Sequence, residues 1–190
     1  QVFISLSQGF RAPQATELYR LQNSQNVADI DPVEMDSLEL GLRGGTKKVN
    51  YSIALFSMSK DNFIFRDTSR QNLDNGETEH QGIELDLKME LHEAVTASIA
   101  FTWAEHEYGN NPALSITPLK GNTIDTAPET LGSVSIKWQA TSRQTHELEW
   151  VHIGEYYEDP QNQNEYDGHD LLNLRGSWSI NNSARFFTES

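Results

Sequence analysis

At 190 residues the chain has the length of one domain. Its 14 Lys and Arg against 28 Asp and Glu leave a net charge of -14, which offers no basic face to nucleic acid. Cysteine is absent, excluding disulfides, thiolate metal sites and cysteine nucleophiles, and eight Phe, six Tyr and four Trp are too many aromatics for a disordered chain. The longest purely apolar run is Ile53, Ala54, Leu55 and Phe56, far below the roughly 20 residues that a membrane-spanning helix needs.

Taken in chain order, the pattern is one of period two. Strands are expected at 2–8, 35–45, 49–66, 79–91, 94–104, 130–139, 145–155, 169–181 and 184–190. In the second, Leu38, Leu40 and Leu42 alternate with Glu39 and Arg43. In the third, the parity of Tyr51, Ile53 and Leu55 gives way to Phe56 and Met58, which suggests a bulge. In the fourth, Ile83, Leu85, Leu87, Met89 and Leu91 interleave with Glu84, Asp86, Lys88 and Glu90, so that every charge falls on one face. Val95, Ala97, Ile99, Phe101 and Trp103 repeat the pattern after a tight turn, which makes an antiparallel hairpin. Val134, Ile136 and Trp138 continue it, as do Leu172, Leu174 and Trp178. The segment 145–155 has apolar residues on both parities, and its two faces stay unassigned.

Short polar turns at 46–48, 92–93, 140–144 and 182–183 alternate strictly with long loops at 9–34, 67–78, 105–129 and 156–168. In an up-and-down meander this sets all short turns at one end and all long loops at the other, as outer-membrane barrels do. Several strands pass ten residues, beyond the usual soluble length of roughly 5–6 and in keeping with the 9–11 or so needed to cross a bilayer. The expected fold is therefore all-β, an antiparallel up-and-down meander forming an incomplete segment of a large transmembrane β-barrel over residues 1–190. Ile83, Leu85, Leu87, Leu40, Ile99, Phe101, Ile136 and Leu174 belong on its convex lipid side. Glu84, Asp86, Lys88, Glu39, Thr102 and Arg175 belong on its concave side. The competing reading is a soluble β-sheet binding module, such as a glycan binder.

Several stretches carry a family resemblance. Gln8, Gly9, Phe10, Arg11, Ala12 and Pro13, followed by Glu17, Leu18 and Tyr19, resemble a strand-to-loop signature of the TonB-dependent outer-membrane receptors. Asp31, Pro32, Val33 and Glu34 before Leu38, Glu39, Leu40 and Gly41 are similar to a later strand of that barrel. Asn75, Gly76 and Thr78 with Gln81, Gly82, Ile83 and Glu84 resemble another, and Ala127 with Pro128, then Tyr166, Asp167 and Gly168, keep the family's order. The family carries a plug domain and about twenty-two strands. With nine strands expected, this chain reads as a piece of the barrel's C-terminal part, without plug or coupling segment. The resemblance implies a receptor in the outer membrane of a Gram-negative bacterium, and not an enzyme. It further implies uptake of a scarce ligand such as a ferric siderophore or similar metal chelate. The implied partners are outer-membrane lipid, the chelate, and an inner-membrane energy-coupling protein reached through other parts of the receptor.

Chemical motifs are otherwise missing. There is no G-x-S-x-G, H-E-x-x-H, phosphate loop or G-x-G-x-x-G, and no cofactor is expected. The six His residues are scattered, and His146 and His152 stand too far apart along one strand to share a metal. The acidic loop with Glu155, Glu158, Asp159 and Asp167 lacks calcium-loop spacing and reads as solvated surface. Ligand-contact candidates are Arg11, Tyr19, Tyr108, Tyr156 and Tyr157, which offer a cation and stacking faces to an anionic or aromatic chelate.

Overall fold

The computed structural model describes residues 1–14, 31–66, 72–112, 116–181 and 184–189. The strands are β1 (Val2–Arg11), β2 (Val33–Gly45), β3 (Val49–Arg66), β4 (Asn72–His92), β5 (Val95–Tyr108), β6 (Thr130–Thr141), β7 (Gln144–Ile153), β8 (Tyr156–Tyr157), β9 (Glu165–Tyr166), β10 (His169–Asn181) and β11 (Ala184–Glu189). Nine of them form one sheet in the order β1-β2-β3-β4-β5-β6-β7-β10-β11, and β8 pairs with β9 as a separate ribbon. Every neighbouring pair is antiparallel. β1 and β11 each carry a ladder on one side only, so the sheet does not close on itself. Among the described residues there is no helix.

Directly opposed residues share a face, and the registers therefore test the parity argument. One row runs Val2, Leu42, Ile53, Leu85, Phe101. The next but one runs Tyr51, Leu87, Ile99, Val134, Trp150, Leu172. Met89, Ala97, Ile136, Leu148 and Leu174 form a third. All eight apolar residues expected on the lipid side lie on one face, and Glu84, Asp86, Lys88, Glu39, Thr102 and Arg175 lie on the other. No second sheet or helix among the described residues covers the aliphatic face: Leu40 is 45%, Leu55 48% and Leu174 53% exposed. A soluble sheet of this area would bury that face against another layer.

Several expectations change, besides strand ends that move by two or three residues at β1 and β2 and a short β8–β9 ribbon inside the loop expected at 156–168. The bulge in β3 is not at Phe56. The β3–β4 register is continuous from Val49 to Lys60 and breaks only between Lys60 and Phe65, beside the left-handed Asn62. Phe56 and Met58 simply face the polar side, where Phe56 lies over Gly82, an aromatic covering the gap that a residue without a side chain leaves. β7 resolves with His146, Leu148 and Trp150 on the aliphatic face and Glu147, Glu149 and Val151 on the polar one. Finally, β4 starts at Asn72 and β5 runs to Tyr108, so most of the loop expected at 67–78 is strand.

At the short-turn end of the aliphatic face the aromatics form a ladder. Ring centroids are 5.7 Å apart for Trp138 and His146, 5.4 Å for His146 and Trp178, and 5.8 Å for Trp178 and Phe186. Amphipathic rings of this kind are what a girdle at a membrane–water boundary requires.

Candidate functional site

The polar face and the loops at the far end of β5, β6, β7 and β10 hold the candidate residues. After β5 the chain folds back over its own strand. The backbone N–H of Tyr108 donates to the carbonyl of Asn122 (3.0 Å), and that of Ile124 to the carbonyl of His106 (2.8 Å). This buries Leu119 completely and leaves Tyr108 2% exposed, with Ile124 packed against both. The Asn111 side-chain oxygen accepts from the N–H groups of Leu119 and Lys120 at 2.6 and 2.9 Å.

The β7–β10 connection is tied to this loop. Asn162 accepts from the Thr123 N–H (2.9 Å) and returns a bond from its amide to the Thr123 carbonyl (2.8 Å). The Asn122 amide donates to the Pro160 carbonyl at 2.9 Å, and the Thr126 N–H to the Tyr157 carbonyl at 2.7 Å. Asp159 organises the turn, accepting from the N–H groups of Gln161 (3.0 Å) and Asn164 (2.7 Å), the Gln163 N–H, and the Asn164 amide (2.9 Å). Burial pushes its carboxyl upward, but the hydrogen bonds from Asn164, Gln163 and Gln161 outweigh this and hold it below the ordinary carboxylate value. The acidic loop is thus partly internal scaffold rather than free solvated surface, because Asp159 and Asn162 spend their oxygens on the loop backbone.

The expected ligand contacts separate. Tyr108 is buried, and its hydroxyl donates to Asp125 Oδ1 at 2.6 Å. It anchors the loop and presents no stacking face. Tyr156 and Tyr157 form β8, and adjacent strand residues point to opposite sides. The Tyr156 ring lies 5.0 Å from that of Tyr166, whose hydroxyl is 2.8 Å from His169 Nδ1. Arg11 ends β1 opposite Val33 and is half-buried. Tyr19 lies outside the described residues, as does the rest of 15–30. The structure therefore gathers Tyr156 and Tyr157 beside the loop that Tyr108 anchors, and places Arg11 apart from them on the edge strand β1.

Two groupings on the polar face were not expected. Arg175 Nη1 is 2.9 Å from Glu147 Oε1 and 2.8 Å from Glu149 Oε2, with the Asn173 amide donating to Glu149 at 3.3 Å. Farther toward the loops, Met58, His80 and His106 stand in one cross-strand row. His80 Nδ1 and His106 Nδ1 are 2.8 Å apart, and His80 Nε2 is 3.0 Å from the hydroxyl of the buried Thr78.

The chain matches the family described as TonB dependent receptor-like, beta-barrel, over residues 1–188. No curated protein matches it by sequence. Among solved structures it is similar to the ferric yersiniabactin uptake receptor FyuA from Yersinia pestis, at 18% identity over 99% of this chain and 29% of that one, TM-score 0.79. It is also similar to the siderophore receptor PiuA from Acinetobacter baumannii, at 18% identity over 95% and 28%, TM-score 0.75. The ferric citrate transporter FecA in its unliganded form aligns at 16% identity over 95% and 28%, TM-score 0.79. The chain spans under a third of the length of these structures.

Proposed function

Since the chain belongs to the TonB-dependent receptor-like β-barrel family, whose members are outer-membrane transport receptors of Gram-negative bacteria, we propose that it forms part of the wall and outer loops of such a receptor, one that takes up a ferric siderophore or similar metal chelate. The observation that carries this reading is the bare aliphatic face backed by a charged one. A sheet between lipid and a wet lumen needs that division, and an open meander reaches it by closing with further strands. The open edges of β1 and β11 would take those strands. The soluble binding module gains no support, because it would need a layer over the aliphatic face. Energy for uptake would come from an inner-membrane coupling protein through other parts of the receptor.

Ligand recognition belongs to the loop end, where Arg11, Tyr156 and Tyr157 supply a cation and aromatic faces, and Tyr19 stays a candidate from the sequence alone. In this reading Tyr108 acts on the ligand only through the loop that it holds. The test is growth of an iron-limited strain lacking the receptor, complemented with the intact gene and fed a panel of ferric chelates. Restoration by at least one chelate is expected, lost on alanine substitution of Arg11 and Tyr157 together while outer-membrane assembly persists. Complementation by none, or full uptake by the loop variants, would overturn the assignment.

A further inference from the structure

The row Met58, His80 and His106 is not explained by barrel architecture. Polar residues on a wet wall need only reach water, yet here two imidazoles on adjacent strands turn the same nitrogen toward each other. Their ring centroids are 5.0 Å apart, with planes at 60°. A metal bonded to both at about 2.0–2.1 Å separates the nitrogens by about 2.9 Å when the angle between the bonds is a right angle, and by about 3.3 Å when it is tetrahedral. The rings are joined by a 2.8 Å N–H···N hydrogen bond, a separation that lets a metal replace the shared proton with the first geometry and little movement. Right-angle nitrogen donors are the preference of square-planar Cu²⁺, which also binds such donors most strongly among the first-row divalent ions.

We propose that His80 and His106 form an open Cu²⁺ site on the polar wall, through the Nδ1 atom of each ring. The Thr78 hydroxyl at His80 Nε2 supplies the outer contact that fixes a ligand ring. No further His, Asp or Glu completes a group of three among the described residues. The remaining coordination positions therefore go to water, or to the donor atoms of a chelate that brings the metal with it. Lys60, opposite Thr78 and on the same face, sets a positive charge near the pair and holds down affinity for a bare cation. The site rests on the sheet geometry and not on the uptake reading, and either can fail alone.

The test is titration of the complete receptor, purified in detergent without a polyhistidine tag, with CuSO₄ alone, followed by electron paramagnetic resonance. One equivalent of Cu²⁺ with hyperfine coupling to two imidazole nitrogens is expected. His80→Ala and His106→Ala should each abolish the two-nitrogen signal. Thr78→Val should weaken binding by about 10-fold, and Lys60→Gln should tighten it. Heat-modifiable gel migration confirms that each variant is folded, and His106→Gln keeps the volume of the ring should an alanine variant fail. Failure of the intact receptor to take up Cu²⁺ would overturn the proposal, leaving a pair of neutral rings sharing one proton. An unchanged spectrum in the folded His80 and His106 variants would do the same.

Discussion

A lysine at Ile53 tests which face of the sheet meets lipid. Ile53 sits midway along the aliphatic stretch of β3, between Val49 at the turn and Ser57, where that face becomes polar. Four residues at about 3.4 Å each, tilted by about 40°, put it roughly 10 Å from either border, close to the middle of the band. A lysine there costs about 2–4 kcal/mol in a barrel. The neighbouring Ser52 faces Arg43 and Asp86 on the polar side, and Ser52→Lys should change stability by less than about 0.5 kcal/mol. The contrast is diagnostic because Ile53 is already 40% exposed in the bare sheet, so in water both lysines would be tolerated. Urea titration of the receptor in lipid vesicles, read by heat-modifiable migration, should show Ile53→Lys destabilised by several kcal/mol relative to Ser52→Lys. Equal midpoints, or a larger loss for Ser52→Lys, would refute the assignment of faces.

Tyr108→Phe deletes the hydroxyl bond to Asp125 while keeping the packing against Leu119, and should loosen the 109–129 loop by about 1 kcal/mol. Faster amide exchange there, with β5 unchanged below Ala104, is the readout. Asp159 is lowered in the folded loop, so its contribution is present above the ordinary carboxylate range near pH 4 and is lost as pH falls through the depressed value. Protease cleavage within 154–168 should therefore rise on acidification in the intact receptor, and Asp159→Asn should remove that pH dependence. Gly168→Ala and Gly121→Ala both place alanine at a positive φ, 76° and 83°. Added methyl groups meet the Ile153 carbonyl at the first and nothing within 4 Å at the second. Gly121→Ala should cost about 1–2 kcal/mol of local stability, and Gly168→Ala clearly more, by differential loop proteolysis.

Strand positions and faces were legible because the alternation from Ile83 to Leu91 and from Val95 to Trp103 has no fault, and one turn fixes the register of both. The same arithmetic held the histidine row. The ladder that pairs Ile83 with Trp103 also pairs His80 with His106, three residues on. Alternation alone ends the fifth strand at 104, because Ala104, Glu105 and His106 break the apolar pattern, and it assigns His106 to a loop. Polar strand extensions carry no hydrophobic period, and only the ladder itself reveals them. The burial of Tyr108 was hidden for another reason. It depends on the chain folding back through Asn122 and Ile124, a contact that no local pattern encodes.

The length of β4 has a consequence for what reaches the polar wall. Its aliphatic face ends at Ile83, yet the strand continues to Asn72, roughly 35 Å farther along its axis and on the order of 25 Å in height at a barrel's tilt. Only β3 and β5 accompany it, to Arg66 and Tyr108, whereas β6 starts at Thr130 opposite Trp103, so in a closed barrel the extension would stand as a one-sided wall above the rim. A solute approaching along that wall would pass its polar side before reaching the charged stretch from Glu84 to Glu90. The wall's height would set how far from the bilayer a visitor first meets this chain, on one side of the mouth only.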